Sequence, residues 1–374
     1  MTPLAPLPLP LEALPASLRR FCDPSAPVPA RTMAAKGLVP VKGGDLLTVL
    51  AQLSADATPA IAEAATASLS KLPEGVLLSA CDEILHPSVL DAVARLVNNV
   101  NAQERIVANH ATSDVTVERI AHTASESLAE RIATNEARLL AAPEIIEALY
   151  KNKRTRMSTA DRLVDLAVRN GVQVTGIPTF AAHAEALQTE LLPEATAEPL
   201  PTDIAFQQAL ADDLDDPDIV EVDAAGTEQV KANALPLSMQ VSLMSNPEKI
   251  RLSLVGNAAA RALLVRDNNK QVAHSAIASP SMTVNEAVAI ANSRQIGEDI
   301  LRFIGNKKEW VRSYEVKRAL LFNSKTPVGI SLRFLSHLHE SDLRELSRSR
   351  NVAGPLKAAA VQRIMKKDKQ SGGD

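Results

Sequence analysis

At 374 residues the chain is long enough for two domains or one long array of repeats, and its 46% apolar fraction is that of a folded protein. Aromatics make up only 2% of it and glycines number 14, so the core is aliphatic, which suits closely stacked helices and argues against a β-sandwich or a glycine-looped nucleotide fold. The formal charge of −4 weighs against general nucleic-acid binding, and two cysteines, Cys22 and Cys81, make neither a disulfide framework nor a zinc site, leaving the reducing cytoplasm as the simplest setting.

Residues 1–30, MTPLAPLPLPLEALPASLRRFCDPSAPVPA, are proline-rich. They read as a flexible or extended arm lying along the helices that follow, with a polyproline ligand for another domain as the alternative. No charged region precedes the apolar run and prolines break it, so no signal peptide is expected. No run of about 18 uninterrupted apolar residues occurs, so no membrane span is expected.

Residues 31–175 form a first helical block. Helices are predicted over 45–50, 61–69, 88–97, 102–108, 115–124 and 125–133 from their apolar spacing. Pro143 sits where a first-turn proline belongs, and Ser158 is placed to cap the next helix with Asp161 near its positive end. Residues 176–236 change character: prolines recur, and 185–228 carry 13 acidic side chains with no Lys or Arg. This is an acidic linker, disordered or partly helical, with 205–214 as its candidate helix. Its DDLDDPDIVEVD run lacks the glycine and final Glu of a calcium loop, so no metal is assigned there. Residues 237–366 form a second, basic helical block; 302–369 hold 16 Lys and Arg against six Asp and Glu. Residues 367–374 are expected to be a disordered tail.

Within the second block, VKRALLFNSKTPVGISLRFLSHLHESDLRELSRSRNV (316–352) reads as helix, punctuation, helix, punctuation, helix. Asn323 follows an apolar run, as a residue that tolerates the left-handed conformation at a helix end. Thr326 is a candidate cap, with Pro327 at the first helical position. A second start is predicted at Ser341, with Leu343 and Leu346 on the buried face. A 43-residue shift carries Asn109 to Asn152, Thr112 to Thr155 and Arg119 to Arg162, and places Thr326 on Thr283, which precedes Glu286 at capping-box spacing. A shift of 214 carries Asn109 and Thr112 to Asn323 and Thr326. Such a period predicts an all-α repeat solenoid, here in two blocks joined by the acidic linker; an irregular helical domain is the alternative.

The Asn-x-x-Thr-(Pro) and Arg-Asn-Val junctions between short helices resemble those of HEAT-like and leucine-rich-repeat-variant α-superhelices. VKRALLFNSKTPVGISLRFL and ESDLRELSRSRNV, with RTMAAKGLVP and RMSTADRLVDLAVRNG, also resemble an uncharacterised bacterial repeat family typical of myxobacteria and their relatives. The resemblance covers about two-thirds of the chain, and Ser279-Pro280 departs from it where Asn is expected. It implies the fold and a bacterial cytoplasmic setting, and it supplies no catalytic residues.

No phosphate-binding loop, dinucleotide fingerprint, zincin motif or nucleophile elbow occurs. His337 and His339 stand two apart, which on a helix points them to different faces. His86, His110, His122, His183 and His274 stand alone and read as core or surface residues. Glu144 and Glu147 lie one turn apart, as exposed helix faces commonly show. No enzyme activity, cofactor or metal is expected. The candidate functional residues are the cations of the second block: Arg312, Lys317, Arg318, Lys325, Arg333, Arg344, Arg348, Arg350 and Lys357. They suit a scaffold or adaptor that binds a protein partner, with the acidic linker as a possible self-mask. The alternative is nucleic-acid binding by the same basic block, disfavoured by the scarcity of aromatics for base stacking.

Overall fold

A computed structural model of the chain describes residues 4–188, 192, 196, 198–210, 220–222, 228–230, 237–349 and 351–371. Their regular structure is helical, apart from one antiparallel strand pair, Val220–Val222 with Glu228–Val230, and the fold is all-α as the composition predicts. The chain divides into two compact units, Met1–Thr155 with Leu166–Gly176, and Arg156–Asp165 with Ile177–Asp374.

The first unit contains α1 (Ala16–Cys22), α2 (Val28–Ala35), α3 (Gly43–Leu53), α4 (Pro59–Ser70), α5 (Glu74–Cys81), α6 (Pro87–Leu96), α7 (Val100–Ala108), α8 (Asp114–Ala121), α9 (Glu126–Ala133), α10 (Glu136–Ala141) and α11 (Pro143–Lys151). The helix α12 (Met157–Arg169) has residues in both units. The second unit contains α13 (Phe180–Leu187), α14 (Pro201–Leu210), α15 (Leu237–Leu243), α16 (Asn246–Val255), α17 (Ala258–Leu264), α18 (Lys270–Ala278), α19 (Val284–Asn292), α20 (Glu298–Asn306), α21 (Tyr314–Phe322), α22 (Val328–Phe334), α23 (Glu340–Arg348) and α24 (Gly354–Ser371).

Helices this short cannot hold themselves together in water and are stable only through packing. Many of them therefore pack on the second helix along the chain. In the first unit α3 meets α5, α5 meets α7 and α6 meets α8; in the second α16 meets α18, α18 meets α20, and α19 meets α21. The cores between them are made of Leu, Ile, Val and Ala, with Trp310 and Phe206 among the few buried aromatics.

Part of the proline-rich segment packs on the helices that follow, and part of it is itself helical. Leu9, Leu14, Leu18 and Cys22 are buried in one cluster with Val49 and Leu53, and residues 16–22 are already helical. Within the expected linker, 176–236, some of the described residues are helical and packed. Two of its stretches, α13 and α14, bury Ala186, Leu187, Phe206, Ala209 and Leu210 in the second unit. Residues 211–214 lie outside the described residues, and the helix there spans Pro201–Leu210, starting four residues before the expected 205. Asp203 is the reason: its buried carboxylate accepts from the Ser158 N–H (2.8 Å), the Ser158 hydroxyl (2.9 Å) and the Leu200 N–H (2.9 Å). One acidic side chain thus serves the starts of α12 and α14, where the helix dipole favours negative charge. Ser158 accordingly lies inside α12 and does not cap it. The DDLDDPD run (212–218), its suggested disorder and its self-masking role lie outside the described residues; of the expected tail 367–374, residues 367–371 continue α24 and 372–374 lie outside the described residues.

Three other expected helix starts can be compared directly. The Thr283–Glu286 capping box forms, with both reciprocal bonds in place. At the next start Pro327 itself is the N-cap residue of α22, and the Thr326 hydroxyl is buried with no hydrogen-bond partner among the described residues. At the following start the N-cap is His339, two residues before Ser341.

Candidate functional site

A local geometry that recurs among the described residues is the Asn-x-x-Thr junction. Asn109, Asn152 and Asn323 are each buried, and each follows a nine-residue helix, α7, α11 and α21. Their side-chain amides donate to pairs of carbonyls at the end of an earlier helix: Cys81 and Glu83 (2.8 Å each), Ala121 and Ala124 (2.9 Å each), Ala291 and Ser293 (2.7 and 3.0 Å). The amide oxygen of each accepts from the backbone two residues on, at Ala111, Arg154 and Lys325 (2.9, 2.9 and 3.0 Å). The Asn carbonyl accepts from the Thr N–H at 3.1 Å in all three. The last carbonyls of a helix have no partner within it, and here a side chain from a later helix supplies one. The Asn backbones are extended, with φ of −72°, −72° and −86°, so asparagine stands there for its amide and not for a left-handed turn.

The fourth junction shows what replaces it. Ser279 follows α18, another nine-residue helix, and Met282 N–H still bonds its carbonyl at 3.1 Å. Its hydroxyl is too short to reach back and is buried without a partner among the described residues. Near the end of α16 the Gly256 carbonyl instead accepts from Arg261 Nη1 at 2.9 Å.

Ion pairs follow the same spacing. Arg31 meets Asp56, Arg119 meets Asp91 (2.6 Å), Arg261 meets Glu286 (2.8 Å) and Arg318 meets Glu345 (2.9 Å), each joining helices or junctions about one helix pair apart. Burial alone pushes the Asp91 carboxyl up. The hydrogen bonds from Arg119, Arg95 and Thr116, with the Arg119 charge, outweigh it and hold Asp91 below the ordinary carboxylate range. Glu286 is held low in the same manner, burial being outweighed by Thr283 and Arg261.

Of the nine candidate cations, three are committed within the fold. Arg318 binds Asp342 (3.3 Å) and Glu345, stacks on Phe322, and is held above its usual range because those carboxylates outweigh burial. Arg333 donates to the Gly305 carbonyl and Asn306 (3.3 Å), and Arg344 pairs with Glu340 one turn before it. Arg312, Lys317, Lys325, Arg348 and Lys357 are at least partly exposed and make no ion pair among the described residues. Arg350 lies outside the described residues. The structure brings Arg318 together with Tyr314, His339, Asp342 and Glu345. Tyr314 donates to Asp342, accepts from the His339 N–H (3.1 Å) and stacks on the His339 ring (4.2 Å). Burial and the Asp342 carboxylate raise the Tyr314 hydroxyl above its usual value.

His337 ends a short 3-10 turn and His339 opens α23, so the two sit on either side of buried Leu338 rather than on one helix. His183 is fully buried, with Nε2 at 2.8 Å from Asp161. Among the described residues no three His, Cys, Asp or Glu side chains group to hold a metal ion. No helix of the described residues is long and apolar enough to cross a membrane. Both thiols are buried; burial pushes Cys22 up to about 12, and burial with the neighbouring Asp82 pushes Cys81 up to about 11.

Two buried polar side chains have roles that residue patterns did not single out. Arg251, fully buried, donates to the Arg156 carbonyl (3.1 Å) and stacks on Phe206 (4.9 Å). Gln52, at the end of the apolar run of α3, holds the arm. A polar residue inside an apolar helix face was the available signal for each.

The chain matches no protein-family model, no curated protein and no solved structure.

Proposed function

We propose that the chain is a non-catalytic helical-repeat adaptor, a HEAT-like solenoid in a bacterial cytoplasm that holds an acidic protein partner on the surface of its basic block. The repeated Asn-x-x-Thr hydrogen-bond set supports the repeat reading, because one device recurs at 109, 152 and 323 in the same bonded arrangement. Repeat architectures stack each unit on its neighbours and expose equivalent positions in series. One observation carries the binding reading: Arg312, Lys317, Lys325, Arg348 and Lys357 carry charge that no ion pair among the described residues neutralises. Arg318, Arg333 and Arg344, whose charges or donors are occupied, belong to the framework around them.

The test is affinity capture from native cell extract after nuclease treatment, at two salt concentrations. Wild type is compared with a Lys317→Glu/Lys325→Glu/Arg348→Glu variant. A discrete protein set that survives nuclease and is lost with the variant is the expected result. Capture of nucleic acid alone, removed by nuclease or salt, overturns the protein-partner reading in favour of phosphate binding.

A further inference from the structure

The first unit holds a contact that the adaptor reading does not use and that is independent of it. Gln52 is buried on α3, and both ends of its side-chain amide bind one residue of the N-terminal arm. Oε1 accepts the Leu9 N–H at 2.9 Å, and Nε2 donates to the Leu9 carbonyl at 2.7 Å. Among the described residues the Gln52 side chain makes no other hydrogen bond. On α6, the buried Ser88 hydroxyl donates to the Ala5 carbonyl at 2.7 Å. The two helices pack on one another, so both contacts belong to one cleft.

The arm's own chemistry fits this mode of capture. Pro6, Pro8 and Pro10 have no N–H, so between Ala5 and Leu11 only Leu7 and Leu9 can donate. Complete N–H and C=O pairs therefore occur in this stretch only at Leu7 and Leu9, each a leucine between two prolines. Gln52 engages the pair at Leu9. Leu9 is also the inward side chain, packed with Val49 and Leu53, while Ala5, Pro6, Pro8 and Pro10 stay exposed. Main-chain bonds with one side-chain pocket are how proteins bind extended peptides. The cleft is incompletely filled: a cavity of about 470 Å³ remains, lined by the arm at 4–7 and by Ser54, Ser88, Ala92 and Arg95.

We propose that this cleft between α3 and α6 is a peptide-recognition site. Its ligand is an extended apolar segment of another protein in which prolines flank a leucine, and residues 5–10 are the resident occupant that such a segment displaces.

The test uses the full chain carrying Leu9→Asp, which expels the arm, and a fluorescent peptide of residues 4–14. Saturable binding to this variant is expected. Adding Gln52→Ala should weaken it about tenfold or more through loss of two buried hydrogen bonds, and wild type should bind more weakly than Leu9→Asp because its own arm competes. A folded Leu9→Asp chain that does not bind the peptide, or that binds it equally with and without Gln52, overturns the proposal. If Leu9→Asp does not fold, a chain with a protease site after Pro10, cut once folded, gives the same comparison with and without the Gln52→Ala substitution. Concentration-dependent dimers abolished by Leu9→Asp, with no peptide binding, would identify a second copy's arm as the occupant and overturn the assignment to another protein.

Discussion

Asn323 satisfies two carbonyls of a neighbouring helix end and one backbone amide of its own loop, all from a buried position. Asn323→Leu leaves those groups without partners, and a loss of about 2–3 kcal/mol is expected by urea unfolding. Asn323→Asp should cost more, since a carboxylate cannot donate to the carbonyls it would face. Asp91 makes a prediction with a pH sign. Its folded pKa is depressed, so its stabilising contribution is complete above the unfolded value of about 3.9 and is lost as pH falls through the lower folded value. Asp91→Asn is therefore expected to cost about 2–3 kcal/mol at neutral pH, with the gap from wild type narrowing below about pH 4 in chemical denaturation. The two thiols make a third. With Cys22 pushed up to about 12 and Cys81 to about 11, and both buried, neither should react with a thiol reagent at neutral pH until the chain is unfolded.

At the level of helices and junctions, the capping box of α19 is expected to be worth about 1 kcal/mol, read as the loss on Thr283→Ala. At Ser279, Asn should bring no stabilisation in thermal unfolding, although it restores the common junction residue, because Arg261 already occupies the Gly256 carbonyl. These cases also show what the residues made legible. Pro143 at a first turn and the Thr283 box could be read directly, because each depends on groups a few residues apart, and Asn109, Asn152 and Asn323 could be matched because the local Asn-x-x-Thr spacing recurs. Which helices touch could not. The 43-residue shift relates equivalent junctions, whereas the Asn amides reach carbonyls 26 to 32 residues back, a distance set by packing. The acidic composition of 185–228 concealed Phe206 and Asp203, one a core side chain and the other a helix-start acceptor, because charge counts do not register a single buried face. The candidate cations were legible only as charges; that Arg318, Arg333 and Arg344 are occupied depends on partners 4 to 28 residues away.

Across the whole molecule, charge is unevenly distributed along a chain whose formal total is only −4. On the proposed adaptor reading, the 16 Lys and Arg of 302–369 would make partner capture salt-sensitive, since exposed charges are screened over roughly 10 Å at 0.1 M ionic strength. Capture should therefore weaken steadily from low to high salt, while unfolding midpoints change little, because the cores are aliphatic. Arg251 has a practical consequence for how this protein can be cut. A fragment starting near residue 237, the boundary that composition invites, omits both the Arg156 carbonyl and the Phe206 ring that receive this buried guanidinium. Such a fragment should be recovered as aggregate, and one starting at residue 156 as soluble material. The same dependence applies during synthesis: α16 emerges from the ribosome about 95 residues after the stretch of backbone it needs, so the second unit must keep that earlier piece waiting before it can close.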